Sequence, residues 1–287
     1  MLVSFAALVA ERGRRGAAAG AFTCYDLETA RGVLRAAGEV DAPVILLVSP
    51  QSFRRPGGDA LLAALRAAAD LAPGPACVQL DHVDDLALIE RAFDLGAGAV
   101  MADGSKLPLE ENVAFVRAAA ERARAVGGGV EAELGRVEGD EDVAAAAEAG
   151  QLTDPHEARD FVEQTGAACL AVSIGNVHGT YARPPELDWP RLDALREQVT
   201  VPISLHGASG LEESDVQRAI RAGVAKINVN TELRGRYLAV TAERLDAVRE
   251  GSRLLELHEA QTDAVASAAA AMLRAYDASR AGVSSGA

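Results

Sequence analysis

Three of the five histidines lie at the ends of predicted β-strands, which makes them candidates for a shared metal site. His82, His178 and His206 each come directly after a short apolar run, whereas His156 and His258 lie in helical stretches and are expected at the surface. Imidazole nitrogen is a common ligand of Zn²⁺, and a catalytic site needs three protein ligands with one open position. A single such histidine is explained equally well by hydrogen bonds near a loop. The three together favour a metal site.

Carboxylates occupy the same parts of the predicted strands. Asp81 precedes the first of these histidines, Asp103 follows the fourth strand, and Glu131 and Glu133 lie in the fifth. Residues two apart in a strand point to the same side, so Glu131 and Glu133 share one face. Burying them is costly unless they meet a cation or hydrogen-bond donors. Their placement therefore strengthens the prediction of a cation site.

An acidic loop follows Gly135 and contains Glu138, Asp140, Glu141 and Asp142. Its charge alone is explained by a loop exposed to water. Above a metal site, however, such a loop would also serve as a lid that carries a general base. Both interpretations are compatible with the sequence.

Small residues follow the last two predicted strands, in the segments 207–210 and 228–231. Backbone N–H groups in such segments bind anions, and barrels often bind phosphate at these two loops. The same residues are also typical of a glycine turn followed by a Ser or Thr helix cap. A phosphorylated substrate is the functional interpretation.

The elements that must position these residues alternate along the chain. Short runs rich in β-branched residues are followed by longer stretches with helical spacing, which indicates βα units with parallel strands. Eight units in a chain of this length predict a (β/α)₈ TIM barrel, typically about 250 residues, with a doubly wound sheet as the alternative. The predicted strands are 20–24, 43–49, 76–80, 99–102, 129–134, 169–174, 202–205 and 225–229, and the predicted helices are 27–37, 59–70, 84–95, 109–126, 154–165, 191–199, 213–222 and 231–250.

The composition is that of one large domain. The chain has 287 residues, of which 49% are hydrophobic, so it is able to bury a full core. We expect residues 1–287 to form a single barrel, with 252–280 as a C-terminal helical extension that either covers the barrel or contacts another subunit. A formal net charge of −14 argues against nucleic acids and anionic membranes as partners.

The cysteines and the N-terminal residues indicate the cellular compartment of the protein. Three scattered cysteines, Cys24, Cys77 and Cys169, form no disulfide framework, which favours the reducing cytoplasm. The first apolar run precedes basic residues, the reverse of a signal peptide, and is too short to span a bilayer. We therefore expect a cytoplasmic protein without a membrane segment.

Taken in order, these residues resemble the class II, metal-dependent fructose-bisphosphate aldolase family, including its tagatose-bisphosphate branch. The resemblance implies a lyase that reversibly cleaves a ketose 1,6-bisphosphate, fructose- or tagatose-bisphosphate, to dihydroxyacetone phosphate and glyceraldehyde 3-phosphate. One Zn²⁺ would stabilise the enediolate of the ketone half. The segments that carry the resemblance are 80–82, 131–135, 174–179, 206–210 and 228–231.

The resemblance also implies a set of site residues. His82, His178 and His206 would hold the metal, with Asp103 and Glu133 as ancillary groups near it. Asp81 would handle the proton at the aldehyde oxygen, and Glu141 would remove the proton from the ketone substrate. A cradle for the ketone phosphate, often supported by a monovalent cation, would include Gly179, Gly207, Ser209, Asn228 and Thr231, with Ser49 at the end of the second strand as a further substrate contact.

The lysines favour metal chemistry over a Schiff base. The chain has two, Lys106 after the fourth strand and Lys226 at the start of the eighth. We expect Lys226 to lie away from the mouth of the barrel, whereas the position of Lys106 does not exclude it. Because neither is an obvious Schiff-base lysine, stabilisation by a metal is the better hypothesis.

Departures from the family pattern concern the aldehyde half of the substrate. Thr23 stands where the family commonly has Asn, and Ala182 stands at a position that is often basic. One alternative is therefore an aldolase with another aldehyde acceptor, such as an inositol-catabolic or other sugar phosphate. Another is a non-catalytic, metal-binding barrel that acts as a regulatory partner, although the presence of Asp81 and Glu141 argues against it. The resemblance and the C-terminal helix favour a homodimer or homotetramer.

Overall fold

The centre of the molecule is a closed barrel of eight parallel strands. The computed structural model describes residues 1–139, 146–147, 149–181 and 186–277. Within them, each barrel strand pairs with two neighbours, and the first strand pairs with the last to close the barrel. This confirms the TIM barrel over the doubly wound sheet. The barrel strands are β1 (Ala19–Thr23), β2 (Val44–Val48), β3 (Ala76–Val83), β4 (Ala99–Ala102), β5 (Gly129–Leu134), β7 (Cys169–Val172), β9 (Ile203–Leu205) and β10 (Val224–Val229).

Each of the eight predicted strands corresponds to one barrel strand, with small differences at the ends. The main difference is β3, which continues to Val83, so Asp81 and His82 lie within the strand rather than after it. Its pairing with β4 shifts register between Leu80 and Val83. Two short strands that the sequence did not predict form a separate parallel pair, β6 (Ala146–Ala147) and β8 (Thr180–Tyr181).

Helices surround the barrel, and the eight predicted ones are all present. Asp26, Asp85 and Asp154 each accept a hydrogen bond from a backbone N–H in the first turn of the helix that follows, as N-cap residues do. The helices are α1 (Phe5–Arg14), α2 (Leu27–Val40), α3 (Pro50–Arg54), α4 (Gly58–Leu71), α5 (Leu86–Asp94), α6 (Leu109–Val126), α7 (Pro155–Thr165), α8 (Trp189–Gln198), α9 (Glu213–Arg221), α10 (Thr231–Glu250) and α11 (Leu254–Ala275).

The sequence did not predict α1, which closes the N-terminal end of the barrel. Phe5 is fully buried and reaches the axis, where a Cβ added at Gly129 would lie 2.8 Å from its ring. Together with Val9, it packs on the lower interior, where the side chains are apolar. The upper interior is polar instead. The interior of the barrel is therefore apolar at the N-terminal end and polar at the mouth. The mouth lies at the carboxyl ends of the strands, where TIM-barrel active sites lie.

The C-terminal extension contains α11, which packs against α2 and α10. This helix covers the outside of the barrel, one of the two roles predicted for the tail, whereas residues 278–280 of the predicted extension lie outside the described part of the chain. Its contact with α2 is close because Gly32 leaves room for Val265. In the part of the chain that the structure describes, no helix is long and apolar enough to cross a bilayer.

Two glycines inside helices test this packing, because alanine is expected to destabilise the fold at one position and to stabilise it at the other. A Cβ at Gly32 would lie 2.7 Å from Val265 and 2.9 Å from the Thr262 carbonyl oxygen, so we expect Gly32→Ala to destabilise the fold by about 1–3 kcal/mol. A Cβ at Gly235 meets nothing within 4 Å, so Gly235→Ala should stabilise it by about 0.5–1 kcal/mol. Urea unfolding measures both. Equal effects of the two substitutions would contradict the close contact of α2 with α11.

Candidate metal centre and active site

Three imidazoles meet at the mouth of the barrel. His82 is at the end of β3, His178 follows β7, and His206 follows β9. Their ring centroids are 4.8, 4.9 and 5.7 Å apart, and each ring offers a nitrogen within 4.8 Å of those of the other two. The structure thus brings together the three histidines that the sequence singled out, in an arrangement that suits a single metal ion.

The backbone at His82 has an uncommon conformation. Its φ of +43° lies in the left-handed region, at the point where β3 shifts register against β4. For a residue with a side chain, such a conformation costs roughly 1–3 kcal/mol and often marks a functional site. The local twist directs the imidazole towards His206, and His82 Nε2 lies 2.9 Å from His206 Nδ1.

The protonation of two of the three rings suits metal binding. Burial lowers the pKa of His178 and of His206 below the ordinary histidine value, which leaves neutral rings with lone pairs. Burial also opposes a charge on His82, but the nearby carboxylates of Asp81 and Asp103 raise its pKa well above the ordinary value. A positive charge is therefore favoured at the centre of this cluster.

The second nitrogen of His206 fixes the orientation of the ring. His206 Nε2 donates to Glu131 Oε1 over 2.9 Å, so Nδ1 is the nitrogen that faces the other histidines. A ligand histidine commonly donates its other N–H to a carboxylate in this way. Sequence reasoning missed this role, although it had noted that Glu131 and Glu133 share a face.

Glu131 is fully buried and is held by further donors. Its Oε2 accepts a hydrogen bond from Gln79 over 2.6 Å and lies 2.8 Å from the ammonium of Lys226. Burial alone would raise the pKa of Glu131, but the charge of Lys226 and the hydrogen bond from His206 outweigh it and lower the pKa. Glu131 is therefore an ionised carboxylate inside the barrel.

The expectation that Lys226 lies away from the mouth was wrong. Its backbone is at the start of β10, but its side chain extends inside the barrel to Glu131, directly beneath the histidines. The ammonium also donates to Asn228 Oδ1. Because this lysine is buried and held by an ion pair, the correction does not make it a Schiff-base candidate.

A second group of possible ligands adjoins the first and consists of His82, Asp103 and Glu133. Asp103 Oδ2 lies 2.9 Å from His82 Nδ1, and its other oxygen accepts from the hydroxyl and backbone N–H of Ser105. Burial and the charge of Asp103 raise the pKa of Glu133 to about 8. Glu133 Oε2 has no hydrogen-bond partner among the described residues. A buried oxygen beside three imidazoles, two of them neutral, fits a divalent metal.

Asp81 lies beside the histidine cluster and is nearly fully buried. Its Oδ2 accepts a hydrogen bond of 3.0 Å from Asn228 Nδ2, which also lies 3.5 Å from His206 Nδ1. The amide of Asn228 thus joins the carboxylate to the histidine cluster. A carboxylate in this position is able to exchange a proton with a substrate oxygen held at the metal.

The loops after β7, β9 and β10 contain the residues predicted to hold a phosphate. Gly207 has a φ of +61°, and a Cβ there would lie 1.9 Å from the Val177 carbonyl oxygen, so only glycine fits. Gly179 also has positive φ, and Thr231 begins α10. Ser209 donates to Glu232 over 2.6 Å. These small residues let backbone approach closely beside the histidines, and Gly179, Gly207 and Ser209 are buried there.

Ser49 and Glu141 complete the set of predicted site residues. Ser49 is buried at the end of β2 and caps α3, accepting a hydrogen bond from the backbone N–H of Ser52. Its hydroxyl therefore has a local structural role in this structure. Glu141, the predicted general base, lies outside the described residues, together with the neighbouring acidic positions 140 and 142.

A cavity of about 460 Å³ opens beside the histidine cluster and is lined by His82, His178 and Asp103. Its outer wall carries three cations from three different elements. Arg54 pairs with Asp84 and Arg136 pairs with Glu138, whereas Lys106 has no ion-pair partner among the described residues. A polar substrate with an anionic end is compatible with such a cavity.

Comparisons with known proteins agree on one family. Residues 3–280 match the family model described as fructose-bisphosphate aldolase class-II. The chain is 41% identical over 234 residues to the D-tagatose-1,6-bisphosphate aldolase subunit GatY of Klebsiella oxytoca, covering 81% of this chain and 82% of that protein. The crystal structure of the YdjI aldolase from Escherichia coli K12 has a TM-score of 0.87 at 30% identity, covering 98% of this chain and 100% of the other. The crystal structure of a putative fructose-1,6-bisphosphate aldolase from Coccidioides immitis has a TM-score of 0.87 at 32% identity, covering 94% of this chain and 95% of the other.

Removal of one imidazole tests the metal centre. His206→Ala takes away a nitrogen donor and leaves Glu131 without its N–H partner. We expect the dissociation constant for Zn²⁺ to rise by more than about 100-fold, since even an outer partner of a ligand is worth roughly 10- to 100-fold. Competition with a chromophoric chelator measures it, and His156→Ala, an exposed residue on α7, is the control. Equal affinities of the two variants would contradict the assignment.

Proposed function

Because the chain belongs to the class II fructose-bisphosphate aldolase family, we propose that it cleaves a ketose 1,6-bisphosphate, fructose- or tagatose-bisphosphate. The products would be dihydroxyacetone phosphate and glyceraldehyde 3-phosphate, and the reaction would be reversible. As a member of this family the chain is a metal-dependent lyase. The observation that carries the proposal is the meeting of His82, His178 and His206 at one point, with His206 next to the Asn228 amide that bonds Asp81.

One Zn²⁺ is the metal we propose for the three histidines. Aldol cleavage leaves an electron pair on the ketone half, and a bound Zn²⁺ supplies the Lewis acidity that this step needs. Asp103 and Glu133 would serve as ancillary groups, because both lie in the second cluster around His82. The buried oxygen of Glu133 that lacks a partner among the described residues supports this role.

Asp81 is the group we propose for the proton at the oxygen that becomes the aldehyde. In cleavage it would take that proton from the substrate hydroxyl, and in condensation it would return it. Its hydrogen bond from Asn228 keeps one carboxylate oxygen occupied and directs the group within the site. Burial excludes water, which favours direct transfer to the substrate.

Glu141 is the proposed base at the carbon of the ketone half. It belongs to the acidic segment after β5, and its proposed role comes from the family resemblance. Arg136 and Glu138, which precede it, line the cavity above the metal cluster. A carboxylate at this position of the sequence would act as the general base that the reaction of the ketone half needs.

The ketone phosphate is proposed to lie on the loops after β7, β9 and β10. Gly179 and Gly207 offer backbone there, and Gly207 is held by a hydrogen bond to its carbonyl from the Tyr181 hydroxyl. Ser209, Asn228 and Thr231 would add side-chain contacts, with a monovalent cation near the phosphate. Ser49 remains a proposed contact to the substrate from the end of β2.

The aldehyde half would lie towards the cations of the cavity wall. Lys106 is exposed, has no ion-pair partner among the described residues and lines the same cavity as His82. An acceptor with an anionic end therefore fits, and glyceraldehyde 3-phosphate is one. An acceptor of different length but the same charge is the main alternative, because these cations recognise charge rather than one carbon skeleton.

Three broader proposals accompany the activity. We propose that residues 1–287 form one barrel domain with 252–280 as its extension, since one apolar cluster joins the strands to the helices, including α11. We also propose a homodimer or homotetramer, because apolar side chains of α10 and of the start of α11, among them Leu238 and Leu255, are exposed. A cytoplasmic location is proposed from the three free, buried cysteines.

A panel of phosphorylated ketoses tests the activity directly. We expect cleavage of fructose- or tagatose-1,6-bisphosphate, followed by coupled reduction of dihydroxyacetone phosphate. A chelator should abolish cleavage and added Zn²⁺ should restore it. Cleavage that persists after complete metal removal would contradict the metal-dependent mechanism. Metal binding without cleavage of any ketose would instead favour the non-catalytic, regulatory interpretation.

Two carboxylate variants separate the proposed proton transfers. Asp81→Asn should lower kcat for cleavage by about 10²- to 10⁴-fold while exchange of the ketone-half proton with deuterated solvent continues. Glu141→Gln should slow that exchange, which NMR of dihydroxyacetone phosphate measures. Metal content should stay unchanged in both variants. Loss of exchange in Asp81→Asn but not in Glu141→Gln would reverse the two assignments.

A further inference from the structure

Lys226 has a buried ammonium that contacts both parts of the site. The side chain is fully buried, and it extends inside the barrel because Lys226 and Asn228, two residues apart on β10, point to the same side. Its Nζ lies 2.8 Å from Glu131 Oε2 and donates to Asn228 Oδ1. The site assigned by the family resemblance does not include this lysine.

One of the two contacts leads to the metal centre. Glu131 accepts the N–H of His206 through Oε1, while its Oε2 is held by Lys226 and Gln79. With both oxygens occupied, the carboxylate has a single orientation. The ammonium therefore helps to determine which nitrogen of His206 faces the metal position.

The other contact leads to the proton-transfer group. An amide side chain has a donor end and an acceptor end, and the partners decide which end faces which way. Because Lys226 occupies Oδ1 of Asn228, Nδ2 is directed at Asp81 and donates to it over 3.0 Å. With the amide reversed, Oδ1 would face the carboxylate and repel it.

We propose that Lys226 is a positioning residue that sets the orientation of His206 and of Asp81 at the same time, through Glu131 and Asn228. The ammonium touches neither substrate nor metal in this arrangement. The part that concerns Asp81 rests on the proposed aldolase activity, whereas the part that concerns His206 requires only metal binding.

A purely structural role is the competing explanation. An apolar side chain would fill the same space at a lower desolvation cost, and the layer beneath, which includes Cys77 and Cys169, is already apolar. If Lys226 served only to neutralise Glu131, removal of both charges together would remove the need for either. The two explanations therefore differ in what a doubly neutral variant does.

The test compares Lys226→Met with the double variant Lys226→Met, Glu131→Gln, in the full chain. Removal of the lysine alone leaves a buried carboxylate without its cation, so the single variant is expected to be less stable. The double variant has no uncompensated charge and should recover the melting temperature. Gln261→Met is the matched control, because Gln261 is a buried polar residue that bonds Thr241 far from the mouth.

We expect both variants to lose about 10- to 100-fold in kcat, with KM for the ketose bisphosphate within about threefold, and to bind Zn²⁺ at least about tenfold more weakly. The visible absorption of the Co²⁺-loaded protein should also change, because it reports the geometry of the histidine ligands. The control should match the unmodified protein in all three measurements.

Recovery of kcat, Zn²⁺ affinity and the Co²⁺ spectrum in the double variant would overturn the positioning role. A loss that appears in KM alone would overturn it as well. If the unmodified protein cleaves no ketose bisphosphate, the proposed substrate is wrong, and the Zn²⁺ affinities and Co²⁺ spectra still decide the role of Lys226. If the single variant does not fold, the double variant tests Lys226 together with Glu131, and unchanged kcat, Zn²⁺ affinity and Co²⁺ spectrum there would still overturn the positioning role.

Discussion

An ionised carboxylate inside the barrel is the constraint on which the polar mouth depends. Glu131 is fully buried, and its charge is held by an N–H from His206, an amide from Gln79 and the ammonium of Lys226. Loss of any one of these donors would leave a buried charge only partly compensated, which is unfavourable. His206, Lys226 and, through Asn228, Asp81 are therefore oriented as one connected network.

The charge of the whole chain and the charge of the site act at different distances. The net charge of −14 is spread over the surface, where salt screens it over about 10 Å. At the mouth, a divalent metal and the cations Arg54, Lys106 and Arg136 would face the substrate. An acidic protein is thus able to bind a doubly phosphorylated sugar, while its surface still disfavours long polyanions.

Much of the architecture could be predicted because the strands are apolar on both faces and each is followed by a helix. The meeting of the three histidines followed from that architecture, since the strand ends of a barrel converge. The position of the Lys226 ammonium could not be predicted in the same way. The strand determines where the Cα of Lys226 lies, but its four-carbon side chain determines where the charge lies. The helix α1 was also missed, since it has no strand before it and its role as a plug depends on contacts along the barrel axis.

The left-handed backbone at His82 also limits how the sequence of this protein can diverge. Asparagine, aspartate and glycine tolerate such a conformation best, whereas β-branched residues do so least. Replacement of His82 by one of these three residues would therefore keep the backbone conformation and remove the imidazole. The same backbone conformation that directs this imidazole into the site thus also admits side chains that would remove it without unfolding the barrel.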